Sequence, residues 1–153
     1  MILSGSAATC ALLIIYLYLQ NKQNSVDYLT GLPNRQEFLK MMELLIGRSK
    51  YFNITVLSLR GFKRINDTYG QHTGDLLLQE IASYLKDISE PHCLYRFSGD
   101  EFAILSYGPL DAGIGTKVEK LEQRMQQAWT WEENNCVVPA VIGVVGYPSV
   151  PIQ

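Results

Sequence analysis

Between Tyr51 and Val145 the chain switches repeatedly between two apolar spacings, and that alternation restricts its fold more than any other feature. Tyr51–Leu59 (YFNITVLSL) is β-branched and aromatic, the composition of a strand. Leu77, Ile81, Tyr84, Leu85 and Ile88 return at helical spacing. Cys93–Phe97 and Phe102–Tyr107 are short apolar runs joined by Ser98-Gly99-Asp100-Glu101, a hairpin with glycine in its turn. Val118, Leu121, Met125, Ala128 and Trp129 form a further helical stripe. Val137–Val145 reads as a last strand, with Pro139 marking an edge or a bulge. Ahead of all of these, Asn34 with Glu37 resembles a capping box for a helix whose stripe is Phe38, Leu39, Met42, Leu45 and Ile46. After that leading helix the order is β-α-β-β-α-β, which predicts an α+β, ferredoxin-like antiparallel sheet with helices on one face.

The 153 residues are enough for about one domain. A net charge of −2 with 47% hydrophobic and 18% charged residues excludes a disordered charged tail. The same balance leaves no basic face for non-specific nucleic-acid binding. Cys10, Cys93 and Cys136 are scattered, with neither a disulfide nor a zinc-binding pattern. The first 21 residues carry no charge. Ile2–Leu19 would span roughly 27 Å as a helix, close to the roughly 30 Å hydrocarbon core. That predicts a transmembrane helix over residues 1–21, with Tyr16 and Tyr18 as an interfacial belt and 22–26 as a polar linker. A signal peptide wants a basic start and a shorter apolar run, and neither is present. Lys22 and Arg35 follow the span and no cation precedes it, which puts residues 27–153 on the cytoplasmic side.

Three clusters carry chemistry. The first is Asp27-Tyr28-Leu29-Thr30-Gly31-Leu32-Pro33-Asn34-Arg35, a turn into the leading helix. The second runs from Gly61 to Asp75 and sets polar groups and three glycines just past the first strand. The third, Arg96-Phe97-Ser98-Gly99-Asp100-Glu101-Phe102, presents two adjacent carboxylates on the hairpin tip. Such carboxylates suit a hard divalent cation shared with substrate phosphates. Backbone amides around Gly61–Lys63 could cradle those phosphates. An amide with a carboxylate can read guanine, whose ring N–H and exocyclic amine are donors. The plain alternative is that Asp-Glu is a solvated turn and Asn-Asp-Thr a loop.

Taken together the clusters resemble the GGDEF family of diguanylate cyclases, which join two GTP molecules into cyclic di-GMP. D-x-L-T-G-L-x-N-R is matched by Asp27–Arg35, F-K-x-I-N-D and its continuation by Phe62–Asp75, and R-x-G-G-D-E-F by Arg96–Phe102 with Ser98 for the first glycine. In the second motif Gln71 stands at the expected histidine and His72 falls one residue late, a surface residue rather than a ligand. The resemblance implies a palm-like domain over residues 27–153, short of its final helix. It implies nucleotidyl transfer with two Mg²⁺ or Mn²⁺ ions, and a homodimer whose half-sites each hold one GTP. By position, Asn66 and Asp75 would contact guanine, and Phe62 and Lys63 would offer amides to the phosphates. Asp100 and Glu101 would share metal binding and hydroxyl activation, with the Leu59 carbonyl as a further metal ligand. Asp27 and Arg35 resemble structural staples.

The departures bear on activity. Where the family has Asp-x-Asp before F-K, this chain has Ser58 and Arg60, so Ser58 is a weak or lost ligand. An arginine about 6 Å from a divalent ion, at an effective dielectric of about 20, opposes it by roughly 5 kcal/mol, less if the side chain swings away. The family's R-x-x-D inhibition motif falls on Ser89-Glu90-Pro91-His92, so product feedback is not expected. The sequence therefore predicts a GTP-binding, regulatory GGDEF domain of the bacterial inner membrane, single-pass, with weak or no cyclase activity. The alternatives are an active cyclase, the regulatory part of a longer chain with an EAL phosphodiesterase domain, or a structural dimerisation module.

Overall fold

In a computed structural model that describes residues 3–23, 25–48 and 50–148, helix α1 (Leu3–Gln23) precedes α2 (Arg35–Gly47) and strand β1 (Phe52–Leu59). There follow α3 (Phe62–Tyr69), α4 (Gln71–Ile88), the hairpin β2 (Leu94–Ser98) and β3 (Glu101–Tyr107), and α5 (Ala112–Met125). A second hairpin, β4 (Ala128–Trp131) and β5 (Asn134–Val137), leads to β6 (Ala140–Tyr147). The main sheet has the order β2-β3-β1-β6 and its three pairings are antiparallel. This is the strand order of the predicted ferredoxin-like palm.

Alternation along β1 divides the core in two. Leu57 and Leu59 point to one face with Phe102, and Leu77, Ile81 and Leu85 of α4 and Leu121 of α5 cover them. Phe52 faces the other way with Tyr95, Ala103 and Leu105, against Phe38, Met42 and Leu45 of α2. Helices thus lie on both faces, not on one. The stripe of α2 needs an apolar surface, and a strand with side chains of period two supplies one on its second face. Asn34 starts α2 by accepting from the amides of Gln36 (3.0 Å) and Glu37 (3.2 Å). The Phe38 ring then meets Tyr95 and Phe97 edge-on, each at 5.4 Å.

The transmembrane helix is corrected. Among the described residues no helix is long and apolar enough to cross a membrane, so single-pass anchoring in the inner membrane is not supported. Ser4, Gly5, Ser6 and Thr9 dilute one end of α1 and Gln20–Gln23 the other. The uninterrupted apolar run, Cys10–Leu19, covers only about 15 Å of the roughly 30 Å a span requires. Every side chain from Leu12 to Leu19 is exposed, and none joins either core.

Two further elements differ from the sequence reading. Much of the cluster from Gly61 to Asp75 is helical, with Gly70 (φ 90°) turning the corner between α3 and α4. Trp129 belongs to β4 rather than to the α5 stripe, because α5 ends at Met125. Residues 149–153, at the end of the expected incomplete domain, lie outside the described residues.

Candidate functional site

The wide turn after α1 is built around Asp27. Its Oδ2 accepts from the Thr30 amide (2.8 Å), the Thr30 hydroxyl (2.6 Å) and Arg96 Nη1 (2.9 Å). Burial alone would raise the Asp27 carboxyl, but the Thr30 and Arg96 hydrogen bonds and the Arg96 charge bring it below its ordinary value. Gly31 closes the turn at φ 70°, its amide donating to the Asp27 carbonyl at 2.8 Å. Arg96 reaches on to the hairpin, donating to the carbonyls of Ser98 (3.3 Å) and Gly99 (2.8 Å). Arg35 lies with its guanidinium 5.0 Å from the Phe97 ring centre.

The α3–α4 corner sets Asn66 against Gly74, the residue before Asp75. Gly61 (φ 70°) ends the run from β1 and opens α3, where Phe62 is buried and Lys63 exposed. The amides of a helix's first turn have no intrahelical acceptor, so those of Phe62 and Lys63 are placed for an anion. Asn66 packs against Gly74 so closely that a Cβ there would collide with its Oδ1. That Oδ1 is buried without a hydrogen-bond partner. Asp75 is the next residue of α4 and is half-buried. His72 is exposed in the first turn of α4.

The third group sits where β1 ends. Ser58 lies opposite Glu101 in the β1–β3 ladder. The Leu59 amide donates to the Asp100 carbonyl at 2.9 Å, which pins the hairpin tip to the strand end. A register shift between Arg96 and Ser98 sets Ser98 opposite Glu101 as well, and its hydroxyl donates to Glu101 Oε2 at 2.8 Å. Ser98 is not in left-handed backbone, so the serine costs the turn no φ strain. Arg60 is held by its amide to the Pro139 carbonyl (2.7 Å), while its side chain is exposed and in no ion pair among the described residues.

These residues do not fit a pair of divalent ions. The hairpin tip carries two carboxylates, Asp100 and Glu101, the second bonded to Ser98, and Ser58 brings a neutral hydroxyl opposite Glu101. Among the described residues no group of three or more His, Cys, Asp or Glu side chains could hold a metal. Hard cations need more anionic oxygen than this to offset their desolvation. The Ser98–Glu101 bond was missed in the sequence because serine at that position reads as a backbone change only.

At the opposite end of the sheet, a hollow of about 400 Å³ separates the end of α4 from α5. Ser89, Glu90 and Pro91 line it with Lys117 and Lys120, and no arginine takes part.

A family profile described as "Diguanylate cyclase, GGDEF domain" matches residues 24–151. The chain is 35% identical over 128 residues to the bifunctional diguanylate cyclase/cyclic di-GMP phosphodiesterase MucR of Pseudomonas aeruginosa, covering 80% of this chain and 19% of that protein. It is 30% identical over 129 residues to the diguanylate cyclase DgcP of Escherichia coli, covering 80% of this chain and 38% of that one. The chain therefore spans well under half the length of these relatives. In fold it is similar to the coiled coil and GGDEF domain of DgcB from Caulobacter crescentus, crystallised with c-di-GMP. The TM-score there is 0.75 at 22% identity, over 94% of this chain and 80% of that one.

Proposed function

The chain belongs to the diguanylate cyclase GGDEF family, and from that premise we propose that residues 27–153 form a GTP-binding domain of cyclic di-GMP signalling with weak or no cyclase activity. The observation that supports it is an unpartnered amide oxygen on Asn66 at the expected guanine end, against two missing carboxylates at the expected cation end. Asn66 holds a buried, unpartnered Oδ1 against Gly74, which precedes Asp75 at the α3–α4 corner. Guanine offers a ring N–H and an exocyclic amine, and these are the donors that an amide oxygen and a carboxylate lack. The first-turn amides of Phe62 and Lys63 receive the phosphates. At the other end, Asp100 and Glu101 act without the Asp-x-Asp carboxylates, because Ser58 and Arg60 occupy those positions. Cyclisation needs two such domains facing each other as a homodimer, and a regulatory domain needs only to bind. The match to part of a bifunctional diguanylate cyclase/phosphodiesterase supports a place beside a phosphodiesterase domain of the EAL type in a longer chain.

The experiment is to give the natural full-length protein GTP or ATP with Mg²⁺ or Mn²⁺, measure binding, and look for cyclic di-GMP by mass spectrometry. GTP-selective binding without product is the expected result. Rapid product formation overturns the weak activity, and failure of folded protein to prefer GTP overturns the binding.

A further inference from the structure

The strands β1, β3 and β2 set Ser58, Glu101 and Ser98 in one row, each directly opposite the next. Glu101 is the only ionisable member of that row. Its Oε2 already accepts the Ser98 hydroxyl at 2.8 Å, a charge-assisted bond across the closing pair of the hairpin. A cation approaching Glu101 meets one free oxygen, Oε1, and can use both only by breaking that bond. Ser58, on the other side of Glu101, adds no charge to compensate.

We infer that Ser98 is a positioning residue that withholds Glu101 from divalent cations. Its hydroxyl, rather than any change in the turn's backbone, is what serine alters at this position. This rests on the reading of Asp100 and Glu101 as the cation-facing carboxylates. Because Ser98 adopts ordinary backbone angles, alanine can replace it without disturbing the turn. A net hydrogen bond of this kind corresponds to a change of about threefold to tenfold in cation affinity.

The test is Mn²⁺ binding to the full chain without nucleotide, followed by the paramagnetic resonance of free Mn²⁺. It is carried out in a Ser58→Asp background that returns one carboxylate. Ser98→Ala is expected to tighten Mn²⁺ binding by about threefold to tenfold. Ser98→Thr, which keeps the hydroxyl, is expected to bind as the Ser98 protein does. Unchanged or weaker binding in Ser98→Ala, or a threonine variant that behaves like alanine, overturns the inference. So does a Ser58→Asp protein that binds no Mn²⁺ at millimolar concentration. GTP binding measured in EDTA is independent of all these outcomes. Loss of guanine binding with the Mn²⁺ pattern intact therefore sinks the proposed function and leaves Ser98 as assigned.

Discussion

Arg96 Nη1 donates to Asp27 Oδ2 at 2.9 Å, and through that bond the turn after α1 is fixed to the strand that leads into the Ser98–Glu101 hairpin. Both side chains are mostly buried, at 11% and 17% exposure. Asp27→Ala leaves the Arg96 cation and the Thr30 donors without an acceptor, which costs about 2–3 kcal/mol of stability in urea denaturation at neutral pH. Since the carboxyl in the folded protein lies below its value of 3.8 in the unfolded chain, its contribution is present above that value. The contribution is lost as pH falls through the folded-state pKa. The gap between parent and variant is therefore expected to be constant from pH 7 to about pH 5 and to narrow as pH falls below 3.8. A gap that does not narrow in acid would mean that the pair does not titrate as assigned.

Gly74 and Asn66 make a second coupled pair. A Cβ at Gly74 collides with Asn66 Oδ1, and Phe62 lies just behind, so the amide cannot retreat freely. Gly74→Ala is expected to destabilise the fold by about 1–3 kcal/mol, the usual cost of overpacking. Asn66→Ala in the same chain removes the colliding atom and should recover most of that loss, a positive coupling in a double-mutant cycle. GTP binding is not expected to return with stability. A double variant that is stable and still binds GTP selectively would show that Asn66 does not read the base.

What could be read from the sequence follows the reach of each physical signal. The strands and long helices were legible because β1 and α4 repeat their apolar residues over many positions. The corner between α3 and α4 was not, because α3 has only eight residues and its polar surface resembles a loop until Gly70 breaks it. Trp129 fell on the helical period of α5 by coincidence, since local spacing carries no sign that a helix stops at Met125. Its ring instead stacks under Arg124, whose guanidinium lies 3.6 Å from the ring centre. The membrane span failed for a different reason: absence of charge is weaker evidence than length of apolar run, and the run in α1 is short. At the site, the motifs single out Asn66, Asp75, Asp100 and Glu101 as the candidates the proposal rests on. The bond from Ser98 to Glu101 depends on a register shift that no motif encodes.

Tyr95 gives a prediction at the alkaline end. It is 2% exposed between α2 and the sheet, and burial, with the charges of Cys93, Tyr107 and Glu37 adding to it, pushes its phenol up to about 12. The unfolded chain ionises this group near 10, whereas the folded protein keeps it neutral. Its contribution to stability is therefore full below pH 10 and lost as pH rises toward 12. Tyr95→Phe is expected to flatten that loss while leaving the fold intact, read by denaturation at a series of alkaline pH values. Equal alkaline slopes in parent and variant would place the titration on another group.

On the proposed function, Ser58 and Arg60 are the substitutions that limit cyclase activity. Ser58 sits directly across from Glu101, so Ser58→Asp returns a carboxylate to the position where a cation would be shared. Arg60 is exposed and unpaired among the described residues, so its guanidinium can point into solvent. Its repulsion is then much smaller than that of a fixed charge. Ser58→Asp should accordingly supply most of the gain and Arg60→Asp the lesser share. Together they are expected to raise the rate of cyclic di-GMP formation by about tenfold to a hundredfold, the equivalent of about 1.4–2.7 kcal/mol in the transition state. The measurement is the initial rate at saturating GTP across a Mg²⁺ series, in which restored coordination also moves half-saturation to lower Mg²⁺. A double variant that is folded, binds GTP and shows neither change would put the defect elsewhere in the dimer.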